Sequence, residues 1–164
     1  MRYLSLCSGI EATSVAWKGL GWTPVAFSEV EPFPCSVLTK RFPDVQNVGD
    51  MTRIDGRNFR GTVDLLVGGT PCQGFSVAGK RGGLSDVRSG LAMHFVRLVS
   101  EIKPGWIVWE NVPGAFSSNG GEDFRTVLEK LAHAAQPDVS IPRPAGGAMV
   151  QGRSNHRKRL VSGM

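Results

Sequence analysis

The stretch that most limits how this chain can fold runs from Asp64 to Gly79. Asp64-Leu65-Leu66-Val67 is a short apolar run bounded by turn residues, the pattern of a buried strand. Gly68-Gly69 ends it. Pro71 has no N–H to give a ladder and stiffens the backbone just before Cys72. Cys72 therefore falls at the carboxyl end of a strand, in the crevice where open α/β sheets bind their ligands. A thiol there, with glycines on both flanks to let a ligand approach, is a candidate nucleophile. The other reading of a free cysteine is a small, inert, buried hydrophobe.

The chain ahead of this stretch alternates strand and helix. Arg2 to Leu6 reads as a first strand, closed by Cys7-Ser8-Gly9. Glu11 to Leu20 reads as a helix with Ala12, Val15, Ala16 and Gly19 on its apolar face. Ser8 is its expected cap, Glu11 suits its positive end, and Gly21 stops it. Thr23 to Ser28 reads as the next strand. Strand, glycine turn, helix, strand is the first half of a nucleotide-binding unit. Gly9 alone survives of any glycine fingerprint, which argues against a dinucleotide site. Glu29, 20 residues after Gly9, is placed either to accept from ribose hydroxyls or to stand as a solvated loop acid.

Pro32 starts a second helix that runs to about Arg41, where Phe42-Pro43 stops it. Cys35 lies mid-helix and reads as packing. Val45 to Val48 reads as a short strand. Asp50 follows, and by itself reads as an Asx-type helix cap. Beyond Cys72, Gly79 to Gly90 is rich in glycine and cations and reads as a surface loop. Leu91, Phe95, Leu98, Val99 and Ile102 then recur at helical spacing and read as core. Trp106 to Trp109 reads as another strand, which puts Glu110 at its carboxyl end. If that strand neighbours the one before Cys72, the two side chains share one cleft, and an enclosed carboxylate suits a proton donor. Phe124, Val127, Leu128 and Leu131 mark one more helix. After about residue 131 the periodicity lapses.

At 164 residues, with 41% hydrophobic and 20% charged, the chain has the size and make-up of one globular domain. It holds no apolar run of about 18 residues, the length a transmembrane helix needs. Three cysteines at wide spacing give no disulfide framework, so a reducing, cytoplasmic location is expected. His94, His133 and His156 are scattered, and no metal site is expected. A net charge of +5 favours a polyanionic partner.

Taken in order, Leu6-Cys7-Ser8-Gly9, Glu29, Asp50, Pro71-Cys72-Gln73 with Phe75-Ser76, and Glu110-Asn111-Val112 resemble motifs I, II, III, IV and VI of the C5-cytosine DNA methyltransferases, phage and bacterial members among them. The resemblance covers roughly residues 2 to 131. It implies an α/β fold with a doubly wound, mostly parallel sheet, Rossmann-like and incomplete at the C-terminus. It implies S-adenosylmethionine (SAM) as cofactor, held by Leu6, Cys7, Ser8, Gly9, Ile10, Glu29, Val30, Asp50, Met51, Gly69 and Pro71. It implies that the Cys72 thiolate adds to C6 of a flipped cytosine while Glu110 holds and protonates N3, after which C5 takes the methyl group. Flipping costs roughly a few kcal/mol. Gln73, Ser76, Lys80, Arg81 and Arg88 would meet double-stranded DNA, Ser76 and the three cations as phosphate contacts that position without reading sequence. The family's cofactor turn is Phe-x-Gly-x-Gly; here Cys7 and Glu11 stand at the Phe and second Gly positions.

Residues 1–131 are thus expected to form a partial SAM-binding and catalytic domain. Residues 132–164 form a divergent basic segment whose order the sequence leaves open. Gln151-Gly152-Arg153 resembles the start of motif VIII, but Asn155 stands in place of its second arginine. The segments that follow in the family, among them the reader of the target sequence, have no counterpart, so a truncated or frameshifted gene is the expectation. A second chain that supplies the missing part, or a remnant that binds without turnover, is the alternative. A nicotinamide oxidoreductase lacks its glycine fingerprint here, and a cysteine hydrolase lacks a histidine placed to activate Cys72.

Overall fold

The computed structural model describes residues 1–70, 90–136 and 139. Among the described residues four strands and four α-helices alternate: β1 (Arg2–Leu6), α1 (Ala12–Trp17), β2 (Thr23–Ser28), α2 (Pro32–Arg41), β3 (Leu65–Gly68), α3 (Gly90–Ile102), β4 (Trp106–Trp109) and α4 (Glu122–Ala135). The strands form one parallel sheet in the order β2-β1-β3-β4. The step from β1 to β2 and the step from β3 to β4 run in opposite directions across the sheet. Right-handed crossovers then put α1 and α3 on opposite faces, the doubly wound arrangement the sequence implies.

The side-chain sets follow the pleat. Leu4, Leu6 and Leu66 point to the face covered by Phe95, Leu98, Val99 and Ile102 of α3 and by Val127 and Leu131 of α4. Tyr3, Leu65 and Val67 point to the other face, against Trp17 and Trp22. Tyr3 meets Trp17 edge to face at 5.2 Å. All four residues of β3 are buried, as befits an inner strand covered on both sides. Phe95, Leu98 and Ile102 are fully buried, each stabilising the fold by about 1.5–3 kcal/mol. No helix among the described residues is long and apolar enough to cross a membrane.

Three local expectations fail for identifiable reasons. The helix expected over Glu11 to Leu20 is α-helical only from Ala12 to Trp17, and Lys18–Leu20 tightens into a 3-10 turn closed by Gly21 at φ 64°. Thr13, Ser14, Val15 and Gly19 are poor helix formers, and α1 buries none of its own residues, so packing does not extend it. Its cap is Glu11, whose carboxylate accepts from the N–H of Ser14, rather than Ser8. The Ser8 hydroxyl instead donates to the Ser5 carbonyl and accepts from the N–H of Ser28, which ties β1 to β2. Third, Val45 to Val48 is no strand; only Asn47 bridges to Phe27. The Asn47 amide accepts from the N–H of Glu29 and of Gly49 and donates to the Glu29 carbonyl. Two backbone bonds make that bridge, from the Phe27 N–H to the Gln46 carbonyl and from the Val48 N–H to the Phe27 carbonyl, and the pairing goes no further. The α2 start at Pro32, the α3 stripe and the α4 helix form where the sequence places them.

Candidate active site at the carboxyl ends of the strands

The register lines up one row of strand ends: Ser28 beside Leu6, Leu6 beside Gly68, Gly68 beside Trp109. The residues that leave this row are Glu29, Cys7, Gly69 and Glu110. Four candidates far apart in sequence thus emerge at one edge of the sheet, with the switch in strand direction between β1 and β3.

The turn after β1 has an unusual backbone. Cys7, Gly9 and Glu11 all have positive φ, at 50°, 54° and 62°. Two non-glycine residues in the left-handed region of one turn mark stored strain, which concentrates at functional sites. Glu11 therefore keeps the conformation a glycine would take. Its side chain is fully buried and turns beneath the loop, where Oε1 accepts from the N–H and hydroxyl of Ser14. Oε2 has no hydrogen-bond partner among the described residues. Burial raises the Glu11 pKa, against the pull of Ser5 and Ser14. Above Gly9 no atom lies within 4 Å of where a Cβ would sit. The replacement of the second glycine by Glu11 thus leaves the ligand side of the turn open.

The acids converge on this turn. Glu29 accepts from the N–H of Gly9 at 2.8 Å, of Val30 at 2.7 Å and of Glu31 at 2.9 Å. A carboxylate offers about four acceptor sites, so a ligand hydroxyl finds one left. Asp50 accepts from the Thr52 N–H at 2.8 Å, a bond that lowers its pKa and caps the 3-10 turn Met51–Arg53. Both readings of Asp50 therefore remain compatible with one geometry: it caps with one oxygen while 41% of its side chain is exposed. Met51 is buried against Cys7, whose thiol lies 3.5 Å from its sulfur. Burial first, then the Glu29 and Asp50 carboxylates, push the Cys7 thiol up to about 11. Ile10 and Val30 are exposed beside the turn, apolar surface at the mouth of a polar crevice.

On the other side, the Glu110 N–H donates to the Gly68 carbonyl at 3.0 Å. Its Oε2 lies 2.8 Å from where a Cβ on Gly69 would sit. β3 and β4 are neighbours, so the condition for a cleft shared with the Cys72 segment is met at the level of the strands. Glu110 itself is exposed, not enclosed as expected. Thr70 and Trp109, which the sequence reading passed over, pin the two strand ends together: the indole N–H donates to the Thr70 hydroxyl at 3.0 Å. A partly buried tryptophan still seeks a partner for its N–H, and that is the only signal in the sequence. Pro71, Cys72, Gln73, Ser76, Lys80, Arg81 and Arg88 lie outside the described residues.

The model of the C-5 cytosine-specific DNA methylases matches residues 1–135. The chain belongs to that family. Its members are SAM-dependent enzymes that act on DNA. The chain is 46% identical over 157 residues to a protein of Escherichia phage P1 named DNA N-6-adenine-methyltransferase, covering 88% of this chain and 21% of that protein. It is 37% identical over 140 residues to the orphan methyltransferase M.SPRI of Bacillus phage SPR, covering 80% of this chain and 31% of the relative. The chain thus spans between a fifth and a third of these relatives. Among solved structures, the S. pombe Dnmt2 methyltransferase matches with a TM-score of 0.62 at 23% identity, over 79% of this chain and 41% of that one. At that identity the likeness shows the fold.

Proposed function

We propose that this chain carries the cofactor and catalytic centre of a DNA cytosine-C5 methyltransferase. One observation carries the reading furthest: β3, which leads into Cys72, lies beside β4, which ends in Glu110, with both carboxyl ends at the same edge as the β1 turn. Leu6, Cys7, Ser8, Gly9, Ile10, Glu29, Val30, Asp50 and Met51 hold SAM, which supplies the methyl group. Glu29 has one acceptor site for a ribose hydroxyl, and Asp50 accepts from the adenine amine. Gly69 and Pro71 are assigned to the cofactor with them, and Gly69 leaves room for the Glu110 carboxylate.

Cytosine C5 is too weak a nucleophile unaided. The Cys72 thiolate adds to C6 as Glu110 protonates N3, and C5 attacks the methyl carbon with the S-adenosylhomocysteine sulfur as leaving group. Loss of the C5 proton to water then expels the Cys72 thiolate, the N3 proton returns to Glu110, and the ring is restored. Gln73, Ser76, Lys80, Arg81 and Arg88 are assigned to the DNA. The adenine-N6 activity in the name of the phage P1 relative belongs to a protein of which this chain spans 21%. An exocyclic amine has its own lone pair and needs no thiol adduct, so Cys72 weighs for C5.

The test is transfer of labelled methyl from SAM to mixed-sequence duplex DNA, with Cys72→Ala as control. Label in DNA that vanishes in the control supports the reading. Label in DNA that persists in Cys72→Ala refutes it. SAM binding without transfer favours a second reading, that these residues turn over only with further polypeptide. That reading draws on the small share of the relatives' length that the chain spans.

A further inference from the structure

The candidate adenine acceptor, Asp50, sits on a segment with little structure of its own. Residues 50–56 hold only the 3-10 turn Met51–Arg53 and the start of a second one at Gly56–Phe59. Backbone carbonyls along it face α3, and one side chain collects them. The Arg97 guanidinium donates through Nη2 to the carbonyls of Met51 at 3.2 Å and Thr52 at 3.3 Å, and through Nη1 to the carbonyl of Ile54 at 2.9 Å. Glu101, one turn further along α3, accepts from Arg97 at 2.9 Å and 3.0 Å. The same carboxylate accepts from the N–H of Gly56 at 2.8 Å. The pair therefore holds the segment at four points, three carbonyls and one N–H. Gly56 lets the backbone come close, since a Cβ there would lie 2.8 Å from Glu101 Cβ.

The held atoms adjoin the cofactor contacts. Thr52 gives its N–H to Asp50 and its carbonyl to Arg97. Met51 gives its carbonyl to Arg97 and its sulfur to the Cys7 contact. We propose that Arg97, braced by Glu101, is a positioning residue for cofactor recognition: it fixes the 50–54 segment so that the Asp50 carboxylate is presented to the adenine amine. This rests on the reading that Asp50 meets adenine. Arg97 touches no ligand and acts through Thr52 and Met51. A guanidinium is suited to the task because its fork of donors is planar and rigid, whereas a lysine ammonium is a single point on a flexible stem.

The test compares two ligands by calorimetry, S-adenosylhomocysteine and its inosyl analogue, in which a carbonyl oxygen replaces the adenine amine. The wild-type protein is expected to prefer the adenosyl ligand by about tenfold or more, since a hydrogen bond to a charged acceptor is lost in the other. Arg97→Lys is expected to bring that ratio close to one while leaving affinity for the inosyl ligand unchanged. Arg60→Ala removes another bond to α3, from Arg60 to the Glu101 carbonyl at 3.0 Å, without touching 51–54, and is expected to keep the full ratio. A merely structural role for Arg97 would weaken both ligands alike. Full discrimination in folded Arg97→Lys overturns the proposal alone. Wild-type protein that binds neither ligand overturns the SAM reading with it. Equal wild-type binding of both removes Asp50 as the adenine acceptor and overturns the proposal. Should Arg97→Lys fail to fold, Glu101→Gln slackens the brace and must lower the ratio for the proposal to stand.

Discussion

Two adjacent glycines at the end of β3 face different neighbours, and alanine at each should give opposite results. A Cβ on Gly68 would lie 3.0 Å from the Leu6 carbonyl oxygen, 3.0 Å from Phe95 Cε2 and 3.2 Å from Leu6 Cβ. Leu6 is in the adjacent strand and Phe95 is fully buried, so neither yields freely. Overpacking of this kind costs about 1–3 kcal/mol. At about 2–4 °C per kcal/mol for a chain of this size, Gly68→Ala should lower the unfolding midpoint by about 2–12 °C. Among the described residues, a Cβ on Gly69 crowds the tip of the Glu110 carboxylate, at 2.8 Å, and meets its Cβ and Cδ at an ordinary 3.8 Å and 3.9 Å. Ordinary contact begins at 3.4 Å, and an exposed side chain can swing that far into solvent. Alanine also restricts the unfolded chain, which stabilises by about 0.4–1 kcal/mol. Gly69→Ala should therefore hold or slightly raise the midpoint. Thermal unfolding by circular dichroism reads both. A drop in Gly69→Ala as large as that in Gly68→Ala would refute the reasoning, because it would show Glu110 fixed in place. If methyl transfer is measurable, Gly69→Ala should slow it by up to about a hundredfold, the cost of displacing a reacting group by about 1 Å.

Glu11 has a folded-state pKa raised by burial. The stability this confers is complete below the unfolded carboxylate pKa and is lost as pH rises through the folded one. Urea unfolding across that window should show falling stability in the wild type and a flatter profile in Glu11→Gln; identical profiles would sink the assignment. Cys7, with its pKa at about 11, should resist iodoacetamide at pH 8 in the folded protein and react after unfolding in urea. Peptide mass spectrometry decides, and rapid alkylation of the native protein would contradict the buried environment. Trp109→Phe keeps a ring to stack on Phe124, 5.9 Å away, but loses the bond to Thr70. It should cost about 1 kcal/mol, and Thr70→Val in the same background should add less than it does alone.

The sheet was legible because an apolar strand and a helical stripe each bury a continuous surface. Leu65 to Val67 and Phe95 to Ile102 allow few other folds. What escaped the sequence depends on partners distant along the chain. Nothing local says that β3 lies beside β4, yet that neighbourhood alone brings Gly69 against Glu110. Ser8 is the expected cap by propensity. Glu11 takes the role because the turn bends left-handed there and drives its carboxylate inward, which no propensity scale encodes. Val45 to Val48 pairs with Phe27 at a single bridge, and the Asn47 amide ties the segment to Glu29 and Gly49 instead of extending a strand; the two valines alone do not reveal that. Arg97 and Glu101 are four residues apart on α3, an ordinary helical ion pair in sequence. Their work on residues 51–56 appears only when the segment is folded against them.

A sheet whose strands all run one way separates the molecule into two ends with unequal tolerance. Every candidate in the row Glu29, Cys7, Gly69 and Glu110 sits where a strand finishes. The turns that feed the strands, among them exposed Gly61 at φ 76° and the Lys103 to Gly105 bend, lie a strand's length away, about 15 Å. Peptides, dyes or surface tethers inserted at those feeding turns are therefore insulated from the crevice by the rigid body of the sheet. The same insertions after β1 or β4 would land inside it.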